Sequence, residues 1–134
     1  MLTSVLLTEN ALTHHAVQRV AHLHDPEPVH VHVLLPVEDD ADDAARARAA
    51  KQLADSLSLL RTAGVAEVRG EVTGSHPVDA VATRTADIGA DEVIVLTEPH
   101  LIADLIRRDW ATRLRHSLDL PVLHVVSGTD QIVS

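Results

Sequence analysis

The chain has 134 residues, with no cysteine, phenylalanine or tyrosine, one tryptophan, one lysine (Lys51) and five glycines. Without cysteine there is no disulfide framework, thiolate metal site, iron–sulfur cluster or thiol nucleophile. With Trp110 as the sole aromatic residue, neither a base-stacking nucleic-acid surface nor an aromatic sugar platform can be built. Basic residues are outnumbered 11 to 20, and the formal charge of −9 repels a phosphate backbone. No apolar run approaches the roughly 18 residues of a membrane span. The longest, such as Val93-Ile94-Val95-Leu96, are strand-sized. The N-terminus shows no basic flank or small-residue cleavage site of a secretion signal. The expected location is cytoplasmic, with neither nucleic acid nor membrane as a partner.

What is present is an ordinary soluble mixture, 46% hydrophobic and 23% charged, of a length that one core can serve. We expect one domain over 1–128 and a loose tail over 129–134. Histidine is the outlier: ten residues, whose full protonation would carry the charge from −9 to +1.

Apolar patterning alternates between two periods. Ser4 to Thr8 is a continuous apolar run, as in a strand buried on both faces. Leu12, Ala16, Val20 and Leu23 then recur at helical spacing, and Asp25-Pro26 stops the helix. Val29, Val31 and Val33 alternate with His30 and His32 in a second strand up to Pro36. A second helix enters through the acidic stretch Glu38 to Asp43, buries Leu53, Leu57 and Leu60, and ends at Gly64. Val65, Val68 and Val72 mark a third strand closed by Gly74; Pro77 opens a helix that ends at Gly89. Asp91 to Leu96 is a fourth strand and Pro121 to Val126 a fifth. Between them Leu101, Ile102, Leu105 and Ile106 suggest a short helix, and Trp110, Leu114 and Leu118 the core face of another. Strands and helices in alternation predict a mostly parallel, doubly wound α/β sheet, with ligands outside the carboxyl ends of its strands.

Sharp motifs are missing. The glycines fit neither the dinucleotide fingerprint nor the phosphate loop, and there is no Gly-x-Ser-x-Gly elbow or His-Glu-x-x-His helix. Val33 to Asp40 is similar to the opening of a phosphoacceptor receiver domain. A receiver also needs an aspartate ending its third strand and a lysine ending its fifth, and the following strand ends here are Gly74 and Thr97. Glu38, Asp39, Asp40, Asp42 and Asp43 read instead as carboxylates at the positive end of the second helix, in preference to a magnesium or calcium site. His14 and His22 lie two turns apart on a polar helix face, too far to share a metal. His30 and His32 project to one face of a strand at a spacing that can chelate a metal, given a third ligand that the sequence does not identify.

The order of elements resembles the universal stress protein family over Val5 to Val126. The pieces that carry the resemblance are Val29-His30-Val31-His32-Val33-Leu34-Leu35-Pro36, Gly74 with Pro77-Val78-Asp79-Ala80-Val81, Gly89-Ala90-Asp91-Glu92-Val93-Ile94-Val95, and Pro121-Val122-Leu123-His124-Val125-Val126. It implies a five-stranded parallel sheet in order 3-2-1-4-5, of the adenine-nucleotide α-hydrolase-like, Rossmann-like kind, together with cytoplasmic location, dimerisation and a role in stress survival, without a defined turnover. The family's nucleotide pocket maps onto Thr8, Asn10, Val37, Thr97, Arg108 and Asp109. ATP-binding members carry a glycine-rich segment after the fourth strand, and residues 97–110 here contain no glycine. The family's Gly-Ser falls on Arg108-Asp109 and its adenosine-side aspartate on Thr8. Glycines let backbone amides approach a polyphosphate, whereas Asp109 would place its own carboxylate there. The expectation is a degenerate nucleotide site with no cofactor and no enzymatic activity. One alternative is an ATP- or AMP-binding sensor in which Arg107 and Arg108 grip phosphate. The other is a small metal-dependent enzyme built on His30 and His32.

Under this order the third and fifth strands are edges. The third carries Glu67, Arg69, Gly70 and Glu71, which discourage pairing. The fifth, Val122, Leu123, His124, Val125 and Val126, carries no fixed charge. It is expected to form a homodimer by two-fold antiparallel pairing, with His124 near the axis and protonation opposing association. Four arginines against three aspartates give residues 100–119 a local +1, which suits an acidic protein partner or solvent.

Overall fold

The computed structural model describes residues 1–97, 110–126 and 132–133. Its sheet has the strand order β3-β2-β1-β4-β5-β6. The strands are β1 (Leu2–Thr8), β2 (Val29–Pro36), β3 (Glu67–Thr73), β4 (Glu92–Thr97), β5 (Val122–Val126) and β6 (Ile132–Val133). The first five are parallel, and β6 runs antiparallel to β5. Helices α1 (His14–His22), α2 (Asp43–Thr62), α3 (Pro77–Ile88) and α4 over 110–117 cover the two faces.

Period-two side chains divide the core between those faces. Leu6, Val31, Val33, Ile94 and Val125 pack with Ala16, Val17 and Val20 of α1 and Leu60 of α2. Val5, Leu7, Leu34, Val93 and Val122 pack with Val78 and Val81 of α3 and Leu114 of α4. The doubly wound α/β architecture in order 3-2-1-4-5 follows, because β1 and β4 are covered on both sides and need continuous apolar sequence. No helix among the described residues is long and apolar enough to cross a membrane.

Helix ends follow their capping residues. Thr13 Oγ1 accepts from the Ala16 amide at the start of α1, and Asp42 Oδ1 from the Ala45 amide at the start of α2. The acidic stretch therefore precedes α2 instead of forming its first turn: Asp42 is the cap, and only Asp43 lies inside. Gly89 ends α3 with φ of 64°, a conformation that a Cβ opposes. Gly70, expected as an edge kink, marks a close approach instead. A Cβ there would meet Leu53 Cδ1 at 2.9 Å, Leu57 Cδ2 at 3.0 Å and the Val33 carbonyl oxygen at 3.1 Å, so α2 lies directly on β3.

Two expectations at the C-terminal end are corrected. The segment 129–134, expected to be a loose tail, supplies β6, with His124 opposite Val133 and Val125 opposite Ile132. Consequently β5 is not an unpaired edge. A two-residue strand lies below any pattern that periodicity detects. The short helix expected around Leu101 to Ile106 lies outside the described residues.

Candidate functional site

The carboxyl ends of β1, β2 and β3 open into one cleft of about 710 Å³, within the range of small-molecule sites. Glu9 and Asn10 come from the turn after β1, Val37, Glu38 and Asp40 from the turn after β2, and Ser75 from the turn after β3. Arg48 of α2 and Trp110 of α4 close the sides.

Each wall is fixed by a local interaction. Thr8 Oγ1 donates to the Asn10 carbonyl at 3.0 Å, and Ser56 Oγ of α2 accepts from the Leu12 amide at 2.9 Å, so the turn after β1 is fastened at both ends. The turn after β2 is pinned by Arg46, whose guanidinium donates to the carbonyls of Asp39 and Ala41. Asp39 then reaches across to β3's turn, accepting from the Ser75 hydroxyl at 2.6 Å and the Ser75 amide at 3.2 Å. These two hydrogen bonds hold the Asp39 carboxyl below its ordinary value.

The electrostatics of the cleft are lopsided. Among the described residues, Glu9, Glu38, Asp40 and Asp42 line it, against one guanidinium, Arg48. A recess of about 90 Å³ shares Ser75, Pro77 and Trp110 with the cleft and has His76, Asp79 and Arg113 on its walls. Among the described residues the lining of the cleft is therefore net acidic.

Of the positions that the sequence assigned to a nucleotide pocket, Asn10 and Val37 line the cleft. Thr8 is buried and supports Asn10 from behind. Thr97 is buried as well, and its hydroxyl lies 2.7 Å from His124 Nε2, which ties it into the sheet instead of the cleft. Arg108 and Asp109 lie outside the described residues. Sequence reasoning missed Arg48, Ser75 and Trp110. Trp110 matters most, because it packs partly against the second core and also lines the cleft, so the single aromatic residue is at the site. Its i, i+4, i+8 spacing with Leu114 and Leu118 concealed this, since a core stripe and a cleft wall share that signature.

His30 and His32 project toward α3. His32 Nε2 lies 3.5 Å from Glu71 Oε1, too long for a hydrogen bond, and Glu71 is gripped by Arg84 Nε at 2.7 Å and Nη2 at 3.1 Å. Among the described residues, His30 Nε2 and both His32 ring nitrogens are buried without a hydrogen-bond partner. Burial pushes the His32 imidazole below its ordinary value, Glu71 opposing and Arg84 and His30 reinforcing the shift. Among the described residues, no group of three or more His, Cys, Asp or Glu could hold a metal ion, so the third ligand needed by a metal site on His30 and His32 is missing there. His124 is also buried, 3% exposed, against the Thr97 hydroxyl.

A second polar cluster lies at the opposite, amino end of the sheet. The Glu92 carboxylate is buried, His24 Nε2 lies 2.6 and 2.9 Å from its two oxygens, and Ser4 Oγ donates to it at 3.0 Å.

No protein-family model matches this chain, and no curated protein matches its sequence. Solved structures do resemble it in fold. The universal stress protein from Archaeoglobus fulgidus in complex with dAMP superposes with a TM-score of 0.66 at 14% identity, covering 92% of this chain and 96% of that one. A universal stress protein in complex with cAMP gives 0.66 at 17% identity, with the same coverage. A member of the universal stress protein family from Burkholderia pseudomallei gives 0.65 at 16% identity, covering 91% of this chain and 94% of that one. Strand order, coverage and these likenesses agree that the chain has the fold of the universal stress proteins.

Proposed function

We propose that this chain is a non-enzymatic, cytoplasmic regulator of the universal stress type, acting through protein contacts, whose nucleotide site has degenerated so that it does not hold ATP. The observation that carries this reading is the charge of the cleft. Among the described residues four carboxylates face one guanidinium, and a triphosphate entering such a lining meets net repulsion in a partly desolvated space. The glycine-free sequence from Thr97 to Trp110 supports the same reading, since it offers no stretch where backbone amides can close on phosphates without a Cβ in the way. Mass spectrometry of small molecules released from the purified, denatured protein tests it. We expect no adenine nucleotide; a stoichiometric nucleotide overturns the reading.

A second reading, a sensor of a nucleotide carrying fewer phosphates, is favoured by Trp110. An aromatic wall that shares its cleft with Arg48 and borders a recess lined by His76 and Arg113 suits a flat ring bearing a single phosphate. Two of the proteins with this fold were solved with dAMP and cAMP. Stoichiometric AMP without ATP in the same extract would select it.

A further inference from the structure

At the outer end of the sheet, β2, β3 and α3 enclose a set of ionisable groups that the cleft does not use. The groups facing His32 are His30 on its own strand, Glu71 on β3 and Arg84 on α3. Its in-register neighbours are the apolar Val5 on β1 and, on β3, Arg69, which is itself paired with Glu67 at 3.1 Å. Arg84 holds both Glu71 oxygens, Oε1 through Nε at 2.7 Å and Oε2 through Nη2 at 3.1 Å, and this fork fastens α3 to β3. Its Nη1 donates to Asp87 Oδ2, one turn along the same helix, at 3.3 Å. His32 Nε2 stands 3.5 Å from Oε1, the oxygen that Arg84 Nε occupies, and both of its ring nitrogens are buried and unpartnered among the described residues. A neutral ring cannot displace a guanidinium from a carboxylate, whereas an imidazolium brings a charge-assisted donor and repels the guanidinium beside it.

We propose that His32, Glu71 and Arg84 form a proton-operated latch that fastens α3 to the sheet and controls one wall of the cleft. With the ring neutral, Glu71 belongs to Arg84 and the latch is closed. When the ring takes a proton from solvent, Nε2 donates to Oε1, Arg84 falls back on Asp87 within its own helix, and α3 is no longer tied to β3. Burial disfavours the charged ring, so the latch stays closed at neutral pH and opens below about pH 6.5. The released helix begins at Pro77, which lines the cleft, and Pro77 and Val78 share the adjoining recess with Trp110. The latch rests on the reading that the cleft is the working site of a regulator, and its test contains no nucleotide, so either can fail without the other.

The test is the emission of Trp110, the sole tryptophan, followed from about pH 7.5 to about pH 5 in the full chain carrying His76→Gln, which removes the imidazole that shares the recess with it. The emission should change in one transition below about pH 6.5. Adding His32→Leu should abolish that transition and hold the emission at its neutral-pH value. Adding Arg84→Leu instead should hold it at the acid value throughout. A flat emission in the parent, a transition that persists in the His32 variant, or an Arg84 variant that titrates like its parent overturns the latch. Should either variant lose its circular dichroism, NMR of the natural chain decides. The His32 ring and the Arg84 Nε resonance should shift with one midpoint, and an Arg84 resonance that does not follow the ring overturns the proposal.

Discussion

Ser75 and Asp39 fasten two turns together at the rim of the cleft, hydroxyl to carboxylate at 2.6 Å and amide to carboxylate at 3.2 Å. The contact explains Gly74 as well, because a Cβ at that position would meet Asp39 Oδ1 at 2.8 Å. The first prediction concerns this clasp. The hydrogen bonds favour the ionised carboxyl, so Asp39 should titrate below the usual value of about 3.9. Its contribution to folding is present above that value and is lost as pH falls through the lowered one. Carbon-detected NMR should show Asp39 returning to the ordinary range in Ser75→Ala; an unchanged titration would mean that the clasp does not form in solution.

A second prediction follows from His32. Burial lowers its proton affinity in the folded state, so the unfolded chain binds the proton more readily. The associated stability is complete above about pH 6.5 and is lost as pH falls below it. The drop in urea midpoint between about pH 7.5 and about pH 5.5 should therefore be smaller in His32→Leu than in the natural chain. An equal drop in both would show that the imidazole is not buried as described.

The Glu92 cluster at the amino end of the sheet contrasts with an exposed contact on α2. Glu92 is buried with His24 and Ser4 around it, while Lys51 and Asp55 pair at 3.2 Å in open solvent. Removing His24 leaves a buried carboxylate short of a partner, so His24→Ala should cost about 1–3 kcal/mol. Lys51→Ala should change stability by less than about 0.5 kcal/mol. Chemical denaturation at neutral pH measures both, and similar costs would remove the special role of Glu92.

Gly70 gives the fourth prediction. Gly70→Ala ordinarily favours a strand, but here the added methyl presses on Leu53, Leu57 and the Val33 carbonyl. Overpacking of this kind should destabilise by about 1–3 kcal/mol. A stabilised variant would show that α2 rides higher on β3 than described.

Much of the sheet could be read in the sequence because burial on both faces leaves a plain mark. Val5 to Thr8 and Val93 to Thr97 are uninterrupted because β1 and β4 lie between two helix layers. The cleft was half legible. Asn10 and Val37, which the family resemblance named, directly follow strands whose ends were visible. Arg48, Ser75 and Trp110 were not, because they reach the cleft from a helix surface, a turn and a helix start that carry no signature of their own. Thr97 ends its strand as read, and its contact with His124 was illegible because only the fold brings the neighbouring strand to 2.7 Å. The pairing of β5 with β6 was illegible too, since Ile132-Val133 after a glycine looks like tail.

The proposed function turns on rejection of polyphosphate by the acidic cleft. Calorimetric titration of the full chain with ATP, followed in parallel by the fluorescence of Trp110, tests it most directly, because the only tryptophan lines the cleft. A cleft of this charge should give no saturable heat and no fluorescence change at ATP concentrations below about 1 mM, corresponding to less than about 4 kcal/mol of binding free energy. Saturation in the micromolar range with a matching change at Trp110 would contradict it.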